Sequence, residues 1–214
     1  MGSRTRTFQR CLASATTLAL VLLAGCSQST TPTVDASPAA APAAPAQPVT
    51  AKVAFGLMYK SALAWSPDVQ LLTLKPEEVP GFKNDAGKAA MWEGQFASPS
   101  KAQYRAYSYA IATVSPVVHK GVGTRLAMPW TGVTRDVMAI DLSAFTIDSD
   151  AAYQAAATDA GAWLKKNPDK PLTTIEAGST YKYKSPVWLV QWGDKKAGYV
   201  ALLDAATGKV YKSK

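Results

Sequence analysis

Apolar side chains recur at helical spacing in two separate segments of the chain. Each segment has four of them, at successive intervals of three, four and three residues: Phe55, Met58, Ala62 and Trp65, then Tyr153, Ala156, Ala160 and Trp163. Residues at these intervals lie on one face of an α-helix, which has 3.6 residues per turn. A proline follows each segment, at Pro67 and Pro168, and proline ends a helix because it lacks the backbone N–H. The pattern therefore predicts two amphipathic helices.

The segment after each predicted helix has the composition of short strands separated by turns. The motif Pro-Asp-x-x-Leu-x-Thr occurs in both places, at 67–73 and 168–174. A tryptophan-bearing run and, after turn residues, a further apolar or aromatic run come next in each copy: 91–96 and 103–113, then 187–192 and 198–203. We therefore predict an α+β fold made of two repeats, each with one helix packed on an antiparallel β-sheet meander.

The boundary between the two repeats is predicted from the stretch that joins them. The run 138–142 is apolar enough to be a strand that completes the first repeat. Asp148, Ser149 and Asp150 then provide side chains that cap the N-terminus of the second helix. The first repeat is accordingly placed at 50–142 and the second at 143–214.

The N-terminal residues have the layout of an export signal. Arg4, Arg6 and Arg10 precede the apolar stretch 12–24, and this part of the chain has no acidic residue. The stretch is shorter than the roughly 20 residues that a transmembrane helix needs. A basic region followed by a short apolar region is typical of a secretory signal peptide. We therefore predict that residues 1–25 are removed on export.

The signal ends in the motif Leu-Leu-Ala-Gly-Cys-Ser at 22–27, which resembles the lipobox of bacterial lipoproteins. The resemblance implies cleavage before Cys26 and attachment of lipid to its sulfur, so the membrane is a predicted partner. An aspartate after the cysteine implies retention at the inner membrane of Gram-negative bacteria. If the host is Gram-negative, Ser27 in that place implies an outer-membrane protein that faces the periplasm. The alternative is an ordinary signal peptide in which Cys26 has no role.

A low-complexity segment separates the cysteine from the first predicted helix. Residues 27–49 consist mostly of Ser, Thr, Pro and Ala, with five prolines and one charged residue, Asp35. Such a composition lacks the apolar side chains that a core requires. We therefore predict that 26–49 is a disordered, flexible linker that holds the folded part away from the bilayer.

The chain is moderately basic. Its net charge is +8, and removal of residues 1–25 leaves 20 basic and 15 acidic residues, a charge of +5. This excess suits anionic polymers or lipid head groups of the cell envelope, and it equally serves solubility. Nucleic acid is not a predicted partner, because the chain is predicted to be exported and its basic residues are scattered.

Two short motifs near the C-terminus form a strand, turn and strand pattern. They are Pro-Val-Trp at 186–188 and Gly-Tyr-Val-Ala-Leu-Leu-Asp-Ala-Ala-Thr-Gly-Lys-Val at 198–210. The pattern resembles PepSY domains, with Leu203 in place of the usual valine, over roughly residues 145–214. The first repeat lacks the Asp-Ala-x-Thr-Gly ending and resembles the family only as a divergent relative. The resemblance implies a helix against an antiparallel sheet and, for some members, a regulatory role toward peptidases.

The sequence predicts neither a catalytic nor a metal site. His119 is the single histidine, and the chain has no phosphate-binding glycine loop, dinucleotide fingerprint or zinc-ligand spacing. Cys11 lies in the signal peptide and Cys26 is taken up by lipid, which leaves no thiol for a disulfide or metal. Asp204 is expected to accept backbone N–H groups in a turn rather than act as an acid. We therefore expect no enzyme activity and no cofactor.

Aromatic residues of the predicted strands are the candidate binding residues. Trp188 and Trp192 lie on the same face of the strand 187–192, and Tyr107 poses the same question in the first repeat. Such side chains either pack between the repeats or bind a peptide or glycan from an exposed face.

The sequence favours a membrane-anchored, non-catalytic binding or regulatory module of the cell envelope, whose partner is an envelope protein or a glycan. Two alternatives stay open. One is a structural envelope component that binds peptidoglycan or associates with its own copies. The other is an unrecognised hydrolase.

Overall fold

A computed structural model describes residues 46–114, 116–194 and 196–211. The predicted signal peptide, Cys26 and the linker as far as residue 45 lie outside these residues. The described chain has three helices: α1 Ala51–Trp65, α2 Ser149–Asp159 and α3 Gly161–Lys166. Its strands are β1 Val49–Thr50, β2 Gln70–Glu77, β3 Lys88–Ala89, β4 Met91–Ser98, β5 Gln103–Ala110, β6 Gly121–Thr124, β7 Met128–Pro129, β8 Leu172–Gly178, β9 Val187–Trp192, β10 Tyr199–Asp204 and β11 Val210–Tyr211.

Nine of these strands form one antiparallel sheet, in the order β11-β10-β9-β8-β2-β4-β5-β6, with β7 also paired to β5. A separate short ladder joins β1 and β3. The predicted α+β class is confirmed, with a large antiparallel sheet and few helices. At the centre β2 pairs with β8. The strands that follow α1 lie on one side of this pair, and the strands that follow α2 and α3 lie on the other.

The helices pack on the sheet through the predicted apolar faces. Helix α1 lies against β4 and β5, and α2 lies against β9 and β10. Met58 and Ala62, in the middle of the first face, are fully buried. The second helix is not continuous, because α2 ends at Asp159 and α3 begins at Gly161, with Ala160 between them. Glycine disfavours a helix interior, which explains a break at this point.

In each half, the indole of a tryptophan ties the start of a helix to the sheet. Trp92 on β4 donates its Nε1–H to the carbonyl of Val49 at 2.9 Å, and Trp188 on β9 donates to that of Ile147 at 3.0 Å. Val49 and Ile147 each stand directly before the N-cap residue of a helix. Both tryptophans are fully buried, so each indole N–H needs such a partner. The same contact thus occurs at corresponding places in the two halves.

The two helices begin at a shared cap. Asp148 is the N-cap of α2 and accepts the N–H of Ser149 at 2.7 Å. It also accepts the N–H of Lys52, in the first turn of α1, at 3.0 Å. Ser149 Oγ accepts the N–H of Ala51 at 2.8 Å and donates to the carbonyl of Gly87 at 2.6 Å. The predicted cap of the second helix is confirmed, and it also satisfies backbone donors at the start of the first.

Gly87 allows a turn of the first half to meet this cap. Its φ is +77°, and a Cβ at this position would lie 2.3 Å from the carbonyl oxygen of Ser149. A positive φ favours glycine, and the close approach is to backbone, which does not move aside as a side chain would. The turn therefore brings the segment 78–88 of the first half against the start of α2.

The run 138–142 is not a strand, so this part of the prediction is wrong. The N–H groups of Met138 and Ile140 bond to the carbonyls of Ser179 and Leu71, at 2.9 Å and 2.7 Å. Those two carbonyls belong to different halves, whereas a strand forms repeated bonds with one neighbour. The segment crosses the ends of β8 and β2 and buries Ile140 there.

The C-terminal turn has the predicted form. Asp204 Oδ1 accepts the N–H groups of Ala206 at 2.8 Å and Thr207 at 3.1 Å, and Gly208 has a φ of +72°. Burial raises the pKa of Asp204, but these hydrogen bonds and the one from the Tyr211 hydroxyl outweigh it and hold the pKa below its usual value. Asp204 is therefore a carboxylate that shapes a turn.

We expect Asp148→Ala to lower the free energy of unfolding by about 2 kcal/mol, because its carboxylate caps two helices and a typical cap contributes about 1 kcal/mol. Asp150→Ala is the matched control, since Asp150 accepts the N–H of Ala151 within its own helix, and it should cost less than about 0.5 kcal/mol. Urea unfolding followed by tryptophan fluorescence measures both losses. Equal losses for the two variants would contradict the shared cap.

Candidate functional site

The two central strands separate toward one end of the sheet. Among the described residues, β2 and β8 pair at two positions, Thr73 with Gly178 and Leu74 with Ala177. Pro76 follows on β2, and it has no N–H to continue the ladder. Beyond the two pairs, each strand keeps only its outer neighbour within the described chain, β4 for β2 and β9 for β8. The sheet is therefore open between its two halves at this end.

A cleft with a volume of about 960 Å³ occupies the opening. Pro76 of β2 and Thr174 and Ile175 of β8 line it where the strands diverge. One wall is the segment 78–88 of the first half. The other wall belongs to the second half and consists of Tyr153, Leu164, Trp192 and 168–171. The cleft thus lies where the two halves meet.

The lining is apolar in its buried part and combines prolines with charged side chains where it is more exposed. The larger apolar and aromatic side chains are all at least partly buried: Val79, Phe82, Tyr153, Leu164, Leu172, Ile175 and Trp192. Three prolines of the lining are exposed: Pro80, Pro168 and Pro171. Six charged residues line the cleft, three acidic and three basic: Glu78, Asp85, Asp169, Lys83, Lys88 and Lys170. Because the two signs balance, the cleft has no excess charge that would select a small anion or cation. It favours an apolar ligand with polar groups along its length.

The wall formed by 78–88 is held by hydrogen bonds to its surroundings. Asn84 Nδ2 donates to the carbonyl of Glu77 at 3.3 Å, and the carbonyl of Gly87 accepts from Ser149. Asn84 Oδ1 is buried and has no hydrogen-bond partner within the described part of the chain. A buried acceptor without a donor is rare. The wall thus contains a buried acceptor, Asn84 Oδ1, without a hydrogen-bond donor in the described part of the chain.

The sheet face turned away from the helices carries charged side chains beside the opening. Lys75 pairs with Glu77 at 2.9 Å, and Arg125 lies 3.1 Å from the buried Oε2 of Glu93, at ion-pair distance without hydrogen-bond geometry. Burial raises the pKa of Glu176, and the positive charge of Lys75 opposes that rise. These carboxylates lie beside basic side chains. Such an arrangement suits stabilisation of this sheet face better than proton transfer.

The predicted binding residues are buried, so they do not form an exposed binding face. Trp188, Trp192 and Tyr107 are 0%, 3% and 3% exposed. Their rings pack against neighbouring aromatic rings, as Trp192 does with Tyr153 at 5.9 Å between ring centroids. The reason is register, because alternate residues of a strand point to the same face, and here that face lies under the helices. Trp192 still contributes to the wall of the cleft.

The remaining polar candidates do not gather into a reactive site. His119 is exposed between β5 and β6, and Asp204 belongs to the C-terminal turn. Within 46–114, 116–194 and 196–211, His, Cys, Asp and Glu do not form any group of three or more with metal-binding geometry. None of the helices in these ranges is both long and apolar enough to span a bilayer. Cys26 lies outside the described residues.

The cleft was missed by sequence reasoning, although part of its lining has a local signal. The segment from Pro76 to Lys88 contains Pro80, Gly81 and Gly87, a density of turn residues that predicts a loop. What the local pattern omits is the partner of this loop. Its opposite wall comes from residues about 65 to 115 positions away in sequence, and a spacing rule within one segment carries no information on that contact.

Comparison with known proteins places the chain in no family. No protein-family model matches the sequence, and no curated protein matches it. Among solved structures, the chain is similar to the crystal structure of a predicted lipoprotein from Clostridium difficile 630, with a TM-score of 0.49 and 10% sequence identity. The alignment covers 74% of this chain and 90% of that chain. A likeness of this degree carries no argument about function.

We expect Glu176→Gln to raise the thermal unfolding midpoint at pH 7. Burial raises the pKa of Glu176 in the folded state, so its ionisation above that pKa opposes folding, and the neutral glutamine avoids this cost. The gain should disappear below about pH 4, where glutamate is protonated in both states.

Glu77→Gln is the control, because it removes the 2.9 Å pair with Lys75 and should give no gain at pH 7. Unfolding midpoints recorded from about pH 3 to about pH 8, a range that spans the usual pKa of glutamate, measure both variants. A midpoint for Glu176→Gln at or below that of the wild type at pH 7 would contradict the effect of burial.

Proposed function

We propose that this protein is an exported, lipid-anchored and non-catalytic binding module of the cell envelope, and that its ligand occupies the cleft between the two halves. The export signal and the lipobox-like motif at 22–27 support the location, and the proline-rich linker supports a tethered domain. The cleft supports binding. This role includes the regulatory function toward an envelope protein that the PepSY resemblance implies.

We further propose that the halves are two copies of one PepSY-like unit. In support, the strand order is symmetric about the β2–β8 pair, with a helix before the strands of each side. The bonds of Trp92 and Trp188 to the residue before a helix cap provide a second correspondence. The motif Pro-Asp-x-x-Leu-x-Thr provides a third. Two copies side by side would explain why the cleft has one wall from each.

The observation that carries the binding proposal is the cleft itself. Its volume of about 960 Å³ lies at the upper end of the range of about 300–1,000 Å³ that is usual for ligand sites, which are mostly apolar with a few polar groups. Its lining residues include no histidine, cysteine or serine. Threonine, lysine and carboxylates can also act as nucleophiles, but the hydroxyl of Thr173 in the lining donates to the carbonyl of Gly193 and not to a base. Binding without catalysis is therefore the function we propose for the cleft.

We expect Cys26→Ala to release the protein from the membrane into the soluble envelope fraction, because the lipid on its sulfur would be lost. Cys11→Ala is the matched control, since Cys11 belongs to the segment that is predicted to be removed, and it should stay in the membrane fraction. Fractionation with immunodetection measures both. A Cys26→Ala protein that remains membrane-bound would contradict lipid anchoring at this residue.

We expect Thr173→Trp to abolish retention of a ligand from detergent-solubilised envelope extract, because the larger side chain narrows the cleft that Thr173 lines. Thr158→Trp is the matched control and should retain the ligand. Both threonines are exposed, and each donates its hydroxyl to a backbone carbonyl, but Thr158 lies outside the cleft.

Affinity capture on immobilised protein, with mass spectrometry and glycan analysis of what is bound, measures the retention. Identical capture by the two variants, or no capture by the wild type, would overturn the cleft as the site. Co-sedimentation of both variants with purified peptidoglycan sacculi would instead favour the structural alternative.

A further inference from the structure

We infer that the occupant of the cleft is an extended polypeptide segment from another protein, which adds a strand to the free edge of β8. The inference rests on the proposed function and specifies the chemical class of its ligand. It assigns recognition mainly to backbone hydrogen bonds, with apolar side chains as the second contribution.

Part of one edge of β8 is unpaired. Beyond Ala177, β8 has β9 on one side and no paired strand on the other within the described ranges, as far as its start at Leu172. An unpaired edge presents a row of N–H and C=O groups that can pair with another extended chain. Thr174 and Ile175 of this edge line the cleft. A ligand that satisfies such a row must itself carry alternating donors and acceptors, as a polypeptide backbone does.

The volume of the cleft fits a short segment of extended chain. A strand rises about 3.3 Å per residue, lies about 4.8 Å from its neighbour and occupies a layer about 10 Å thick, so five residues fill about 800 Å³. The cleft has about 960 Å³, which fits five or six residues of an extended chain. That number of residues matches the five from Leu172 to Glu176 that remain unpaired on the side of β2, of which Thr173 forms a bulge in the ladder with β9.

The two faces of the sheet differ in polarity, and this difference defines a sequence preference for the occupant. A strand beside β8 points alternate side chains to opposite faces. On the helix side these would meet Tyr153, Leu164 and Trp192, which are apolar. On the other side they would lie near Lys75 and Glu176, in a charged setting. The favoured occupant therefore alternates apolar and polar residues and carries little net charge.

The linker of the same chain is a poorer occupant. Its segment 27–49 contains prolines at positions 32, 38, 42, 45 and 48. Each proline lacks an N–H, and proline is excluded from positions that must donate to a sheet. Only the five-residue windows 27–31 and 33–37 of the linker are free of proline. The first has no apolar residue, and the second offers only the small side chains of Val34 and Ala36 to the apolar wall of Tyr153, Leu164 and Trp192. The occupant is accordingly assigned to a different protein.

The test uses the mature chain with Cys26→Ala, which removes only the lipid attachment. Random heptapeptides displayed on phage are selected on this protein and counter-selected on the same protein carrying Thr173→Trp. We expect enrichment of sequences with alternating apolar and polar residues. A synthetic selected peptide should bind, and its analogue N-methylated on the residues that face β8 should bind at least tenfold more weakly, because each methyl group removes a donor.

Amide hydrogen exchange, followed by NMR on the labelled protein, locates the bound peptide. We expect at least tenfold slower exchange for amides within 172–176 that face β2, with the edge strands β6 and β11 unchanged as internal controls. Protection at β6 or β11 instead of β8 would overturn the inference. Equal binding by the N-methylated peptide would do so as well, since it would assign recognition to side chains alone.

The outcomes separate this inference from the proposed function. If no peptide is enriched while envelope capture still depends on the cleft, the ligand is a glycan or lipid and the inference falls while the proposed function stands. If capture from the envelope and peptide selection both fail to distinguish Thr173→Trp from Thr158→Trp, both fall together. Retained far-ultraviolet circular dichroism and cooperative unfolding in both variants show that the comparison concerns binding and not folding.

Discussion

The fold depends on the contact at which one aspartate and one serine cap the start of both helices. Asp148 and Ser149 bond backbone N–H groups of α1 that are 96 and 98 residues away in sequence, and Gly87 leaves room for the backbones to meet. Tryptophans then tie each helix start to its own strands. The helices are thereby placed over outer strands of the sheet, and the cleft opens at the centre, where β2 and β8 diverge.

The second constraint is the short ladder between the central strands. Two residue pairs join β2 to β8, and Pro76 then removes the donor that a longer ladder would need. An open strand edge on a protein surface invites aggregation. Here the edge lies between two walls, one from each half, which limit the approach of another sheet edge. The same proline thus accounts for the opening, and the walls account for its protection.

Several elements could be predicted from local pattern because their physical causes are local. The helix faces follow from side chains three and four residues apart, and the turn at Asp204 follows from a carboxylate that reaches its own backbone. The predicted strand at 138–142 was wrong because its backbone N–H groups bond to carbonyls of two different halves instead of forming one ladder. A related limit applies to Trp188, for which the sequence left both packing and binding open and which the structure buries, since period-two alternation identifies a face but not what covers that face.

The sequence by itself determined the α+β class, the order of helix and strands in each half and the turn chemistry, and it predicts the export signal with its lipid-attachment cysteine. These features depend on neighbours within a few positions, which the linear pattern records. Only the tertiary structure decided that Asp148 caps a helix of the other half, that Pro76 ends the central ladder, and that 78–88 faces α2 and α3 across a cleft. Those contacts join residues about 65 to 105 positions apart, and the geometry that brings them together is set by the packing of the whole sheet.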